Sequence, residues 1–170
     1  SMAVASDPLA GEVLHMGTQV VRHSSSFEVF TPFVIMCAWL LFLLTAIIYG
    51  IVWVIRYFMG KIPSGINIQV RLWPLLASLF FLAAFVAIAS GISDPIADLG
   101  APNFLTIVTL LGTIGFAVCS VLSIYFVLRA RGVAKIDRVA YWHAAIGSVL
   151  HLIVVAYFLY WGVIGMRMWA

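Results

Sequence analysis

Charged residues are scarce in this chain. Asp, Glu, Lys and Arg make up 9% of its 170 residues, whereas 65% are hydrophobic. The mean hydropathy is +1.17, and a soluble domain carries about a quarter charged residues. So few charges cannot cover a surface that faces water, and the composition therefore excludes an ordinary soluble domain.

Cysteine is also rare. The two cysteines, Cys37 and Cys119, both lie inside apolar runs and form neither a CxxC pair nor a spacing of metal ligands. A buried thiol behaves as a small apolar side chain. We therefore predict that both cysteines are packing residues and that the chain has no metal site.

Catalytic motifs are missing as well. The sequence has no Gly-x-Ser-x-Gly, no HExxH and no Gly-rich phosphate loop. It also has no Ser-x-x-Lys, because Phe58 and Gly132 stand three positions before Lys61 and Lys135. We predict no catalytic residue and no bound cofactor. The formal charge of +3 comes from cations near the ends of apolar runs, which gives no reason to expect a nucleic-acid partner.

Four long apolar runs fill most of the chain. A bilayer core about 30 Å thick requires roughly 20 apolar residues of helix, and continuous runs favour helices over the alternating strands of a barrel. We predict an all-α membrane protein, a four-helix antiparallel transmembrane bundle with short loops. The predicted membrane domain covers residues 28–170, with spans at about 30–58, 72–92, 104–128 and 139–169.

Local signals agree with these boundaries. Asn103 and Asp137 precede the third and fourth runs, where their side chains can cap the first turn of a helix. Pro74 falls in the first turn of the second predicted helix, where its missing N–H costs least.

Cations are concentrated in two of the three predicted loops. The loop between the second and third runs instead carries Asp94 and Asp98 and no cation. Cations in short loops mark the cytoplasmic side, so we predict that both termini are extracytoplasmic, as expected in a bacterial cytoplasmic membrane. The residues that determine this topology are Arg56, Lys61, Arg71, Arg129, Arg131, Lys135 and Arg138.

The first 27 residues differ from the rest. Asp7 and Pro8 form a good helix start, and apolar residues follow at helical spacing, among them Val13 and Val20. We predict a short amphipathic helix over about residues 7–22, lying on the outer membrane surface or packed on an upstream domain. Because the chain shows no signal peptide that would carry residues 1–27 across, we expect a larger segment to precede them.

Two histidines, His143 and His151, lie eight residues apart in the fourth run. They are separated by about 12 Å of helical rise. Bis-histidine haem ligation needs imidazoles on opposite sides of one iron, and no other predicted span has a histidine. We expect His143 beside Trp142 near the cytoplasmic interface and His151 hydrogen-bonded to a neighbouring helix. An ionisable residue inside a membrane is also a functional candidate, so His151 keeps that second interpretation.

Small residues recur in the last two runs. Gly112 and Gly115, and then Gly162 and Gly165, are spaced for close contact between helices. No carboxylate or Lys lies in the middle of any run, as a proton relay or an ion-coupled transporter would require. We therefore predict that these four glycines are packing residues.

Three segments carry a resemblance to a known family. They are RLWPLLA at residues 71–77, the loop at 94–102, and YWGVIGMRMW at 160–169. Together they resemble the C-terminal membrane region of serine hydrolases of the β-lactamase and penicillin-binding-protein-like group, over about residues 28–169. The resemblance implies an anchor for an exported catalytic domain. The family's Ser-x-x-Lys motif belongs to that soluble domain, so no catalytic residue can be assigned in this chain.

Three functional hypotheses follow. The first is a non-catalytic membrane domain that anchors an extracytoplasmic serine hydrolase and offers a helix interface to a partner or a second copy. The second is a small accessory subunit of a membrane complex, which would copurify with its partners. The third and weakest is a haem-binding redox subunit using His143 or His151, which would be coloured when purified. In each case the lipid bilayer is an expected partner.

Overall fold

Four long helices dominate the chain. A computed structural model describes residues 2–7, 11–16, 19–22, 26–62, 65–92, 100–133 and 136–166. Each of the four helices is long and apolar enough to cross a membrane, which confirms the predicted class of an integral membrane protein. They are α1 (Ser26–Phe58), α2 (Ile66–Gly91), α3 (Phe104–Arg129) and α4 (Arg138–Tyr160).

The predicted amphipathic helix at residues 7–22 is wrong. The described residues of this segment form antiparallel strands β1 (Met2–Asp7), β2 (Gly11–Met16) and β3 (Gln19–Arg22) in the order β1-β2-β3. Gly11 and Gly17 each cost a helix about 1 kcal/mol relative to Ala. An isolated helix of this length is marginal even without them, and strand pairing satisfies the same backbone groups.

The helices form an antiparallel bundle, as predicted. Trp73 near the start of α2 stacks on Phe126 near the end of α3, with ring centroids 5.9 Å apart. Ala84, further along α2, lies beside Gly112 near the start of α3. The end of the bundle where α1 and α3 finish and α2 and α4 begin is called the cation-rich end below.

Side-chain caps fix two helix starts at the predicted residues. Asn103 accepts a hydrogen bond from Thr106 N at 3.0 Å, and the Thr106 hydroxyl accepts one from Asn103 N at 2.9 Å. Asp137 Oδ1 accepts from Val139 N at 3.0 Å. The bonds from Thr106 N and Val139 N satisfy first-turn amides that have no partner within the helix.

Helix α2 begins at Ile66 rather than Leu72. The apolar run predicted the hydrophobic part of α2. It did not include residues 66–71, about a turn and a half of helix in which polar and apolar residues alternate. Arg71 therefore lies inside α2 rather than in a loop. Pro74 lies in the helix interior rather than in the first turn, so the Val70 carbonyl has no i+4 amide to accept from.

Helix α4 ends at Tyr160, well before the predicted Trp169. Gly162 and Gly165 lie in turns with φ of 68° and 72°, so the prediction that they pack within a helix is wrong. Val163 N donates to Phe158 O and Gly162 N to Leu159 O, the paired bonds that close a helix at a left-handed glycine. Residues 167–170 lie outside the described residues.

Aromatic rings fill the middle of the bundle. Trp39 and Phe116 are each 1% exposed. Trp39 meets Phe81 edge-on at a centroid distance of 4.6 Å, and Phe116 lies 5.6 Å from Phe81 and 6.3 Å from Phe158. One ring from each of the four helices therefore meets here. Because lipid tails are as apolar as these side chains, this close packing is what stabilises the bundle in a bilayer.

Candidate functional site

His151 lies in the middle of the bundle and is 1% exposed. Its Nδ1 lies 2.6 Å from Gly147 O, and its Nε2 lies 3.3 Å from Ser78 Oγ on α2. A carbonyl oxygen only accepts, so Nδ1 carries a proton. Ser78 Oγ also lies 3.0 Å from Pro74 O, so its single proton is shared between two acceptors. His151 therefore forms the contact with a neighbouring helix that the sequence analysis expected.

His143 also connects α4 to a neighbour. Its Nε2 lies 3.1 Å from Thr45 Oγ1 on α1. The imidazole sits between the rings of Phe42 and Tyr49, at centroid distances of 5.4 and 5.6 Å. The partners of His143 are thus on α1, whereas the sequence analysis considered only its neighbour Trp142.

The two histidines are directed to different helices and share no ligand. Among the described residues, no group of three or more His, Cys, Asp or Glu is placed to hold a metal ion. His143 and His151 therefore act in this structure as polar contacts between helices. An interhelical hydrogen bond of this kind contributes about 0.6 kcal/mol on average in a membrane protein.

Hydroxyl groups provide a second set of buried polar contacts, which the sequence analysis missed. Ser123 on α3 and Ser148 on α4 share a hydrogen bond, and Ser148 Oγ also donates to Ala144 O. Ser120 Oγ donates to Phe116 O on its own helix. Serine is common on both buried and lipid-facing surfaces of membrane helices, so its spacing alone does not identify these contacts.

Gly112 and Gly115 lie where α3 comes closest to α2. A Cβ added at Gly112 would lie 2.8 Å from Ala84 Cβ and 2.9 Å from Phe80 O. At Gly115 it would lie 2.6 Å from the Phe80 ring. Both glycines allow the close helix approach that small residues provide in membranes.

The described cations of the loops and helix ends lie at one end of the bundle. Arg56 lies in the last turn of α1 and Arg129 in the last turn of α3, while Arg138 is the first residue of α4. Lys61 and Arg131 lie in the connections at the same end. Arg71 lies near the start of α2, and Lys135 lies outside the described residues.

A cavity of about 150 Å³ opens at this cation-rich end between α1, α2 and α4. Its wall carries three cations and one carboxylate, together with the aromatic side chains of Tyr49 and Trp53. The charged residues are Arg56, Lys61, Arg71 and Asp137. Arg71 Nη2 lies 3.8 Å from Asp137 Oδ2, and the Arg71 side chain is only 8% exposed. Three cations and one carboxylate therefore share the wall of this cavity.

These observations define the class of the protein, a four-helix integral membrane bundle with a closed aromatic centre and a cavity at its cation-rich end. Comparison of the chain with known protein families, with curated proteins and with solved structures found no match. Its function must therefore be argued from the residues themselves.

Sequence reasoning located the cations but not the cavity that three of them share. Asp137 was identified only as a helix cap, and Asn67, which is buried at the cavity wall, was not singled out. One signal was available: Arg71 lies between the apolar residues Val70 and Leu72, four residues after Asn67. A cation in such a position needs an anionic partner or water.

Proposed function

We propose that this chain is a non-catalytic membrane domain that anchors an extracytoplasmic serine hydrolase. Two lines of reasoning support the proposal. The segments at residues 71–77, 94–102 and 160–169 resemble the membrane region of the β-lactamase-like group. The cation distribution predicts that the first span is entered from outside, which is how an exported upstream domain would deliver it.

The observation that carries the anchoring role is the filled centre of the bundle. Trp39, Phe116 and His151 are each 1% exposed and lie within 6.4 Å of one another by ring centroids. A transporter needs a binding site near the bilayer midplane, and here that depth is occupied by packed rings. A bundle of this kind holds a polypeptide in the membrane without a path for a solute.

Orientation can be tested with single cysteines. In a background with Cys37→Ser and Cys119→Ala, Ile92→Cys follows the end of α2 and Val133→Cys lies in the cation-rich loop; both positions are exposed. A membrane-impermeant maleimide should label Ile92→Cys in intact cells and Val133→Cys only after lysis. The reverse pattern would refute the proposed sidedness and, with it, an extracytoplasmic hydrolase.

The charge argument itself has a separate test. Changing Arg129, Arg131, Lys135 and Arg138 to Gln removes the cations around the connection between α3 and α4. Because cations near span ends hold a loop in the cytoplasm, Val133→Cys should then become partly labelled in intact cells. Labelling that still requires lysis would show that these cations do not determine the orientation.

The proposed hydrolase domain is tested most directly by reading the native coding sequence. The coding sequence upstream of Ala3 should continue in frame into an exported domain with a Ser-x-x-Lys motif. Membranes from the native source should then contain a protein of matching size that a fluorescent penicillin or a serine-reactive fluorophosphonate labels. A start codon at Met2 would refute the anchor and favour an accessory subunit instead.

A further inference from the structure

The cavity at the cation-rich end has an excess of positive charge. Arg56, Lys61 and Arg71 line it, and Asp137 is the one carboxylate at its wall among the described residues. One carboxylate leaves an excess of two positive charges. Arg56 and Lys61 reach solvent, but Arg71 is enclosed.

Arg71 is buried at the cavity wall without enough hydrogen-bond acceptors for its guanidinium group. Its side chain is 8% exposed, and its Nε has no hydrogen-bond partner among the described residues. The 3.8 Å separation from Asp137 is too long for a good hydrogen bond. Asp137 is 53% exposed and already accepts from Val139 N. A guanidinium has five N–H donors in a planar fork, so a buried Arg71 has donors to spare for an anion.

The backbone adds to this charge. Helices α2 and α4 both begin at the cation-rich end, and the N-terminus of a helix carries a partial positive charge. Gly65 at the start of α2 has no side chain to cap the first turn, and that turn contains no acid. Asn67 in the same turn lines the cavity and carries amide donors.

The size and position of the cavity limit the anion. A water molecule needs about 10–15 Å³ of such a cavity, so a volume of about 150 Å³ has room for a group of a few heavy atoms, such as phosphate. Val52 forms part of the wall and is 49% exposed on the outer surface of α1. An acyl chain attached to a phosphate in the cavity could therefore leave along α1.

We propose that the cavity between α1, α2 and α4 binds a phosphate group, with Arg71 as the central ligand and Arg56 and Lys61 at the rim. Arginine binds phosphate oxygens through two parallel N–H bonds. The phosphate belongs to the headgroup of an anionic phospholipid or to a free phosphate ion. Both sources present the same phosphate oxygens to Arg71, but only the phospholipid carries acyl chains.

The test measures binding to the purified chain in a neutral detergent, at constant ionic strength. Phosphatidylglycerol, phosphatidylcholine and inorganic phosphate are titrated separately, with native mass spectrometry for the lipids and thermal stabilisation for all three. We expect a phosphatidylglycerol complex that persists where the phosphatidylcholine complex dissociates. Stabilisation by inorganic phosphate alone would keep the phosphate site and assign it to a soluble ion. Equal binding of phosphatidylglycerol and the zwitterionic phosphatidylcholine, together with no stabilisation by inorganic phosphate, would overturn the proposal.

Three variants separate this cavity from general attraction to a basic surface. Arg71→Gln keeps hydrogen-bond donors but removes the charge, and should weaken binding of the preferred phosphate source about tenfold. Lys61→Gln is exposed and cannot disturb the packing, so it reports on the site even if Arg71→Gln folds poorly; we expect about threefold weaker binding. Arg131→Gln removes a cation from the same end of the bundle but outside this cavity, and should change binding less than twofold. Equal losses in Lys61→Gln and Arg131→Gln would refute the site.

Discussion

The middle of the bundle is filled by aromatic rings around Trp39 and Phe116, whereas the cation-rich end encloses a cavity beside Arg71. In the middle, each helix contributes a ring or a small residue that lets a neighbour approach closely. At the cation-rich end, a small apolar cluster of Val70, Val127, Ala130 and Ala144 is buried between the helices, and long charged side chains line the cavity. We therefore expect changes in the aromatic centre to cost more stability than changes in the charged side chains around the cavity.

The largest expected effect is in the aromatic centre. Phe116→Ala removes a ring that contacts Trp39, Phe81, His151 and Phe158. The cavity left behind should lower the free energy of unfolding by about 3 kcal/mol, measured by titration with a denaturing detergent. Phe104→Ala on the same helix is the control, because Phe104 is 78% exposed. Similar losses in the two variants would contradict a stabilising centre.

The contact between α2 and α3 should be the next most sensitive. Gly112→Ala places a Cβ 2.9 Å from a backbone oxygen, Phe80 O, which cannot move aside easily. We expect a loss of about 2 kcal/mol in the free energy of unfolding. Gly147→Ala is the matched control, since its Cβ would meet only Phe42 at 3.7 Å. If Gly112→Ala were as stable as Gly147→Ala, the close helix contact would be refuted.

These two variants also show what the sequence could and could not reveal. Long apolar runs predict four spans because the bilayer requires helices of that length, and Asn103 and Asp137 predicted two helix starts because capping is local. Gly112 and Gly162 look alike in sequence. Gly112 packs on α2, whereas Gly162 ends α4 at a positive φ, and only the neighbouring helices distinguish these outcomes.

The same limit applied to the candidate site. Spacing along one chain shows which residues share a helix face, but not which face another helix covers. The pairs Ser78–His151 and Thr45–His143 join residues 73 and 98 positions apart, so no local pattern could have found them. The sequence analysis predicted a helix instead of strands β1, β2 and β3 because apolar residues recur there every three or four positions. Gly11 and Gly17, which disfavour a helix, were given too little weight.

A smaller effect is expected from the polar contacts in the middle of the bundle. Ser78→Ala removes the hydroxyl that lies 3.3 Å from His151 Nε2 and leaves that nitrogen without a partner. The free energy of unfolding should fall by about 0.6 kcal/mol, the average for such a bond. Ser120→Ala is the control, because Ser120 is equally buried but bonds only to its own helix. An equal loss in both variants would refute a stabilising contact between Ser78 and His151.

The smallest change in stability is expected at the cation-rich end. Asp137→Asn removes the charge that faces Arg71 but keeps a side chain that caps helices as well as Asp does. Because Asp137 is 53% exposed, the free energy of unfolding should change by less than about 0.5 kcal/mol. Asp137→Ala also removes the cap and should cost about 1 kcal/mol, so the pair separates capping from charge.

The same Asp137→Asn variant connects stability to binding. Removing the carboxylate raises the charge excess of the cavity from two to three, so the preferred phosphate source should bind about threefold more tightly. No comparable variant exists in the middle of the bundle, because removal of a polar side chain there lowers the free energy of unfolding. If Asp137→Asn left phosphate binding unchanged, the charge of Asp137 would not contribute to the phosphate site. If it strongly destabilised the chain, the charged wall of the cavity would be part of the stable core and the contrast between the two regions would be wrong.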